Sequence, residues 1–297
     1  MISGLPEEEL FANGHTACAG CGQALAVRYV LKAVGKNCIV ANATGCLEVF
    51  TTHYPQTSWR VPWIHAAFAT PASLASGICA ALKKLGKDIP VLSFGGDGST
   101  YDIGLSALSG AVERGHNFTH VCFENGAYMN TGVQRSGDTP KFADTTTAPY
   151  GKKIHGKQQL RKRMPFIMAA HGCYVATANI AYPIDLVNKI RKAVSIKGPA
   201  YVEIFSPCVP GWRYDPSLTI ELGRLAVKSL SYPLYEIENG LVKISEKVSQ
   251  PIPVRDYLKP QGRFKKLTEN EINDIQNSAN DFYKVLSDLE EKQVRLY

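Results

Sequence analysis

The stretch VLSFGGDGSTYDIGLSALSGAVERGHNFTHVCFENGAYMN, residues 91–130, decides how the chain folds. It opens on a short apolar run rich in strand formers and breaks at Gly95-Gly96-Asp97-Gly98-Ser99. A helical pattern follows over YDIGLSALSGAVERG, and the apolar run then repeats at FTHVCFENG. Strand, helix and strand in that order form a crossover unit, because parallel neighbours cannot be joined by a tight hairpin.

The alternation continues on both sides. Further strands are expected at NCIVANAT (37–44), GCYVATANI (172–180) and GPAYVEIFSP (198–207), and helices at CGQALAVRYVLKAVGK (21–36), TPASLASGICAALKKLGK (70–87) and YPIDLVNKIRKAVSIKG (182–198). The expected fold is therefore α/β, a mostly parallel sheet with helices on both faces. After about Pro210 the pattern changes. YPLYEIENGLVKIS reads as a hairpin turning at Asn239-Gly240, residues 251–260 as extended chain, and LTENEINDIQNSANDFYKVLSDLEEKQ as an amphipathic helix. Thr268 and Glu271 stand in capping-box spacing, with Ile272, Ile275, Ala279, Phe282, Leu286 and Leu289 on one face. The division expected is a ligand-binding domain over 1–240 and a C-terminal arm over 241–297, whose helix either covers its own domain or reaches onto a neighbour.

At 297 residues, with 45% hydrophobic and 20% charged residues, the chain can bury a large core. Neither a basic-then-apolar leader nor a bilayer-length apolar stretch is visible, so a soluble, cytoplasmic protein without a membrane partner is expected. The net charge of +7 is scattered apart from GKKIHGKQQLRKRMPF, with cations from Lys152 to Arg163, so nucleic acid is not expected either. That run reads as a solvated loop and helix face, with an acidic partner or anionic ligand as the rival reading.

In parallel sheets ligands bind at the carboxyl ends of strands, and Gly95-Gly96-Asp97-Gly98-Ser99 is such an end. Glycines let backbone N–H groups approach phosphate oxygens, the next helix N-terminus adds partial positive charge, and Asp97 is a hard ligand for magnesium. Taken alone, this is also the signature of a capped tight turn. Asn125, 28 residues after Asp97, strengthens the metal reading by bringing an amide oxygen to the neighbouring strand end. Asp97, the Asn125 side chain and a carbonyl near Ala127 would complete magnesium's octahedron together with a diphosphate and water.

The Gly-Asp-Gly followed by Asn125, with AYMNTGVQRSG behind it, resembles the diphosphate-binding domain of thiamine-diphosphate enzymes. More narrowly it resembles the β subunit of 2-oxoacid:ferredoxin oxidoreductases, nearest to the pyruvate-specific members. The resemblance runs from His15 to about Gly240. It implies that Gly96, Asp97, Gly98, Ser99, Asn125, Ala127, Tyr128 and Asn130 lie against thiamine diphosphate and its magnesium, and that Asn130 and Thr131 face the thiazolium and the substrate. Glu124-Asn125 replaces an asparagine pair of the family and keeps the metal-binding residue.

Eight cysteines without a secretory leader favour metal, redox chemistry or buried thiols over disulfides. Cys18 and Cys21 form a C-x-x-C in HTACAGCG, Cys46 lies in NATGCLEVF and Cys208 in FSPCVPGW. The resemblance implies that these four ligate one 4Fe–4S cluster. The chemistry accords with it, since a C-x-x-C presents two thiolates to adjacent irons and small Ala19 and Gly20 free backbone N–H groups for the sulfides. A structural zinc site and a redox dithiol remain as alternatives. Cys38, Cys79, Cys122 and Cys173 are expected to be buried packing thiols, and His15, His53 and His65 to be structural.

The activity so implied is oxidative decarboxylation of pyruvate with coenzyme A, yielding acetyl-CoA and CO2 and reducing ferredoxin or flavodoxin. The carboxylate that activates the aminopyrimidine, and a ferredoxin-like cysteine run, are not found in the sequence. The resemblance therefore implies α, γ and δ partner subunits in an anaerobic cytoplasm. The same chemistry on branched-chain 2-oxoacids or 2-oxoglutarate, a non-redox thiamine enzyme, and a non-catalytic metal-bearing scaffold are the alternatives.

Overall fold

The computed structural model describes residues 5–297. In chain order the elements are α1 (Gly22–Val34), β1 (Ile39–Ala43), α2 (Cys46–Val49), β2 (Trp63–Ala66), α3 (Pro71–Lys84), β3 (Val91–Gly96), α4 (Leu105–Glu113), β4 (Phe118–Glu124), α5 (Met164–Ala169) and β5 (Tyr174–Asn179). They continue as α6 (Pro183–Ser195), β6 (Ala200–Phe205), α7 (Val209–Trp212), α8 (Thr219–Lys228), β7 (Tyr235–Glu238), β8 (Leu241–Ile244), α9 (Val254–Leu258) and α10 (Glu269–Glu291).

One eight-stranded sheet runs in the order β2-β1-β3-β4-β6-β5-β7-β8. The pairs from β2 to β5 are parallel, and β7 and β8 add an antiparallel hairpin at one edge. Helices cover both faces. On one, Val27, Val30 and Leu31 of α1 pack with Leu186, Val187 and Ile190 of α6, all essentially without solvent exposure. Burying each such side chain contributes about 1.5–3 kcal/mol, which is why these strands carry apolar residues on both faces. The other face packs α3, α4 and α5 with part of α10, through Ala75, Leu108, Met168 and Leu286. Among the described residues no helix is long and apolar enough to cross a membrane.

The hairpin turns where expected, with Asn239 and Gly240 both at positive φ (52° and 76°), the backbone that Asn-Gly favours. Thr268 and Glu271 form a reciprocal capping box at the start of α10. That helix lies on its own chain. Leu286 is 0% exposed, and the Phe282 ring stands 5.9 Å from that of Phe166 and 6.3 Å from that of Tyr235.

Four expectations are corrected. Residues 251–260, expected to be extended chain, contain the short helix α9 (Val254–Leu258), which starts just after Pro253. The helix read continuously over YDIGLSALSGAVERG is a π-helical turn, Gly98–Ile103, followed by α4. It breaks at Gly104, whose Cβ position lies 2.3 Å from Ser99 O, so only glycine passes there. Cys79 is half-buried on α3, its thiol donating to Asn117 O, whereas Cys38, Cys122 and Cys173 are buried. The basic run is solvated only in part: Lys152, Lys153 and Lys162 are exposed, whereas Lys157 is buried and Arg161 and Arg163 are half-buried. Lys157 Nζ caps the carbonyls of Gly137 and Thr139 (3.0 and 2.7 Å), Lys162 pairs with Asp102 (2.7 Å), and the Arg163 guanidinium stacks 3.5 Å above Phe282.

Candidate active site

Four neighbouring strands deliver one polar residue each to the same edge of the sheet. Cys46 follows the end of β1 by three residues, Asp97 follows β3 by one, Asn125 follows β4 by one, and Cys208 follows β6 by three. The register aligns these ends, pairing Asn42 with Phe94, Gly96 with Phe123 and Glu124 with Phe205. From β1 the chain continues outward to β2, and β3 lies on its other side, so β1 and β3 flank the topological switch point where open α/β sheets bind ligands. A cleft of about 310 Å³ opens there. Its lining includes Gln23, Thr44, Cys46, Asp97, Asn125 and Asn130.

Asp97 is fully buried, and burial, reinforced by Asp138, pushes its carboxyl well above the ordinary range. The terminal atom of the Asn125 amide that faces inward lies 3.0 Å from Asp97 Oδ1 and 3.0 Å from Ala127 O. With the NH2 inward, the amide donates to both. With its oxygen inward, three oxygens gather at the strand ends, and the two separations from Asn125, 3.0 Å each, suit an octahedral ion with bonds of about 2.0–2.1 Å, for which adjacent ligands stand about 2.9 Å apart. The donor set therefore fits magnesium.

The diphosphate side is built from absent side chains. Gly96 has nothing closer than Phe123 O, 4.0 Å from its Cβ position, so packing does not require glycine and the free space belongs to the cleft. At Gly98 a Cβ would fall 2.7 Å from the Tyr128 ring, whose hydroxyl donates to Asp102 (3.1 Å). The π-helical turn starting at Gly98 leaves its first backbone N–H groups without intrahelical partners, the standard provision for an anion. The Ser99 hydroxyl is committed to Phe68 O (2.6 Å), so its free offering is the backbone N–H. Asn130 and Thr131 are exposed at the tip of a loop closed by the backbone pair Tyr128–Gln134, with Thr131 Oγ1 donating to Gln134 (2.6 Å).

A supporting layer beneath the cleft was not legible in the motifs. Ser136 Oγ donates to Asp97 Oδ2 at 2.5 Å. Behind it Arg161, from the basic run, lies 2.7 Å from Asp138, 3.4 Å from Glu203 and 3.8 Å from Glu124, all three carboxylates being buried. Tyr101 and Tyr201 donate to Glu203 (2.5 and 2.9 Å). The Arg161–Asp138 contact is a charge pair without hydrogen-bond alignment, which leaves both Asp138 oxygens without a donor. Burial, then Asp138, drives the Glu124 carboxyl up, and burial does the same to Glu203 against the opposing pull of Arg161. One cation thus serves three carboxylates.

The four cysteines singled out by the sequence come together. Burial first, with negative charge on Cys21 and Cys18 adding to it, pushes Cys46 and Cys208 up to about 12, so all four thiols lie within Coulombic reach. Cys21 is the N-cap residue of α1 and Cys208 that of α7, neither with a side-chain capping hydrogen bond, while Cys46 opens α2. The segments are clasped: Gly22 N–H donates to Pro207 O (3.1 Å), and a Cβ on Gly22 would lie 2.7 Å from Pro207 N. Among the described residues no three His, Cys, Asp or Glu side chains are grouped closely enough to hold a metal ion. All eight cysteines are free of disulfides. His65 and His53 bond Thr44 and Thr16 (2.7 and 2.8 Å), and His15 stacks on Phe11.

Residues 43–204 match the family described as thiamine pyrophosphate enzyme, C-terminal TPP binding domain. The chain is 52% identical to pyruvate synthase subunit PorB of Methanocaldococcus jannaschii, over 96% of this chain and 99% of that one. It is 43% identical to ketoisovalerate oxidoreductase subunit VorB of Pyrococcus horikoshii, over 92% and 90%. A solved 2-oxoglutarate:ferredoxin oxidoreductase from Magnetococcus marinus, with 2-oxoglutarate, coenzyme A and succinyl-CoA bound, superposes with a TM-score of 0.58 at 24% identity, over 75% of this chain and 81% of that one, and shares its fold. A strand-end cleft, the Asp97–Asn125–Ala127 oxygens and kinship over nearly the full length agree: the chain belongs to the thiamine pyrophosphate enzymes, among the PorB-type subunits of the 2-oxoacid oxidoreductases.

Proposed function

We propose that this chain is the β subunit of a pyruvate:ferredoxin oxidoreductase that binds thiamine diphosphate, magnesium and one 4Fe–4S cluster. The observation that carries the reading is the double placement of Cys46, which lines the same cleft as Asp97 and Asn125 and also belongs to the four-cysteine set. A cluster held by this set would supply an electron acceptor one side chain from the cleft.

Thiamine diphosphate, when bound, supplies the electron sink for decarboxylating a 2-oxoacid. Asp97, the Asn125 amide oxygen and Ala127 O hold the magnesium, while Gly96 and the N–H groups of Gly98 and Ser99 receive the diphosphate. Ser136 fixes the Asp97 carboxylate from behind, and Tyr128 bounds the cleft over Gly98. Asn130 and Thr131, on the rim, orient substrate. Cys18, Cys21, Cys46 and Cys208 hold the cluster. The aminopyrimidine-activating carboxylate comes from an α subunit, and γ and δ subunits pass electrons to ferredoxin or flavodoxin in an anaerobic cytoplasm.

Pyruvate is favoured over branched-chain oxoacids by the similarity to a pyruvate synthase subunit, with the ketoisovalerate relative marking the rival. The test is anaerobic dye reduction by the assembled complex, with coenzyme A and, in separate assays, pyruvate, 2-oxoisovalerate or 2-oxoglutarate. The highest kcat/KM is expected on pyruvate, with the isolated chain inactive. Preference for another oxoacid, or turnover by the isolated chain, overturns the substrate or the subunit reading respectively.

A further inference from the structure

Trp212 closes the short helix α7, four residues after Cys208, and is 0% exposed. An indole carries one hydrogen-bond donor and no acceptor, so a buried tryptophan has a single polar bond to place. Trp212 Nε1 places it far from its own segment, donating at 2.6 Å to the backbone carbonyl of Asn125, 87 residues earlier in the chain. Asn125 is the first residue past β4, and the turn it opens, Asn125-Gly126-Ala127, carries two of the three oxygens assigned to magnesium. That turn has a packed floor. Gly126 stands at φ 78°, and a Cβ there would lie 2.9 Å from the guanidinium of Arg263, which is buried and stacks 3.7 Å above the Trp212 ring. The same residue is tied to the cysteine set. Trp212 N–H donates to Cys208 O (2.9 Å), and a Cβ on Gly211 would lie 3.3 Å from Cys208 Sγ and 2.3 Å from Sδ of the cleft-lining Met129.

We infer that Trp212 is a positioning residue: its indole N–H fixes the peptide that leaves β4 and so holds the Asn125 and Ala127 oxygens at the spacing magnesium requires. Without that bond the Asn125 carbonyl is free to rotate with its peptide plane, and the oxygens on either side of it turn too. Magnesium tolerates this least, because it demands near-ideal octahedral ligands at about 2.0–2.1 Å, whereas calcium accepts oxygens at about 2.3–2.6 Å in flexible arrangements. Trp212 thus acts on the choice of metal without touching it. Packing alone would be served by any large apolar ring, such as that of Phe205, 5.4 Å away between centroids, and the N–H is what singles out tryptophan. The inference rests on the proposed function, in which this oxygen set holds the magnesium of the diphosphate.

The test titrates thiamine diphosphate into the assembled complex by calorimetry, once with magnesium and once with calcium. Trp212→Phe keeps a buried ring and deletes the donor, and Trp212→Met is a second donor-free variant should the first fail to assemble. Val254→Ala opens a cavity in the same apolar cluster, on α9, and measures general loosening. With magnesium, the donor-free variant should bind about 10-fold more weakly, roughly the value of one hydrogen bond. The loss with calcium should be smaller, and iron content should match the parent. Val254→Ala should lower the thermal midpoint and leave the magnesium-to-calcium ratio of affinities as it is. An unchanged ratio in the donor-free variant, an equal change in Val254→Ala, or loss of iron with the magnesium affinity each overturns the assignment. A parent complex that binds thiamine diphosphate with neither metal overturns the functional reading and this one together.

Discussion

Asn125 and Asp97 meet with 3.0 Å between the inward atom of the amide and Asp97 Oδ1, each having left its strand by one residue. Asp97 carries the only formal charge of this oxygen set. Asp97→Asn should therefore abolish magnesium-dependent thiamine diphosphate binding, by at least about 100-fold, while iron content and circular dichroism stay as in the parent. Calorimetry on the complex reads the affinity directly. Unchanged binding would reduce the Gly-Asp-Gly to a turn.

Cys46 belongs to two structures at once, so Cys46→Ala should separate them. A cubane deprived of one thiolate loses iron or recruits another ligand, whereas the magnesium oxygen set contains no sulfur. The expected outcome in anaerobically purified protein is lost or altered iron, with thiamine diphosphate affinity within a few-fold of the parent. Full iron and an unchanged reduced EPR signal would remove Cys46 from the cluster.

Much of this was legible because it is local. Asp97 and Asn125 each stand next to a strand whose apolar run announces itself, the capping box is spelled by Thr268 and Glu271, and the hairpin by Asn239-Gly240. β2 was missed because Trp63–Ala66 is a four-residue edge strand with exposed Ile64 and His65, which leaves no apolar run to find. Arg161 read as solvated because its partners Glu124, Asp138 and Glu203 lie 37, 23 and 42 residues away in sequence and meet it only through the fold. Gln23 and Thr44 likewise reach the cleft by the topology of α1 and β1, which no spacing encodes.

Gly96 and Gly98 should respond differently to alanine. At Gly98 the new Cβ would meet the Tyr128 ring at 2.7 Å, so Gly98→Ala should lower both the thermal midpoint and thiamine diphosphate affinity. At Gly96 the Cβ would enter open space in the cleft, so Gly96→Ala should keep the midpoint and lower affinity alone. Parallel melts and titrations of the two variants decide it, and equal behaviour would refute the separate roles of packing and ligand space.

Removing Arg161 leaves three buried carboxylates without their cation, a change that typically costs about 3–5 kcal/mol. Arg161→Met should therefore unfold at markedly lower urea concentration. Adding Asp138→Asn should recover part of the loss, because Asp138 stands nearest to the guanidinium, at 2.7 Å. Strictly additive losses in the double variant would show that the two residues do not interact.

The same carboxylates set the pH dependence of the cofactor-free chain. Burial, the leading cause in each case, holds Asp97, Glu124 and Glu203 above their ordinary values. The folded state then keeps protons that the unfolded chain has released once pH exceeds about 4, so stability falls as pH rises from there toward the raised values. Glu9, held down to about 2 chiefly by its hydrogen bond to Arg28, has the opposite sign, but its contribution is complete above its ordinary value and adds no slope in this window. His120, held down to about 3 by burial, opposes this slope until the unfolded histidine has lost its proton near its ordinary value of about 6.5, so the thermal midpoint of the cofactor-free chain should drop between about pH 7 and pH 8. Magnesium with thiamine diphosphate should raise it more at pH 8, where Asp97 otherwise resists ionising and the cation favours its charged form. Asp138→Asn, which removes the charge that, after burial, does most to raise both Asp97 and Glu124, should flatten the drop. A midpoint that climbs over this range in the parent would show that the buried carboxyls ionise freely and that Arg161 alone compensates them.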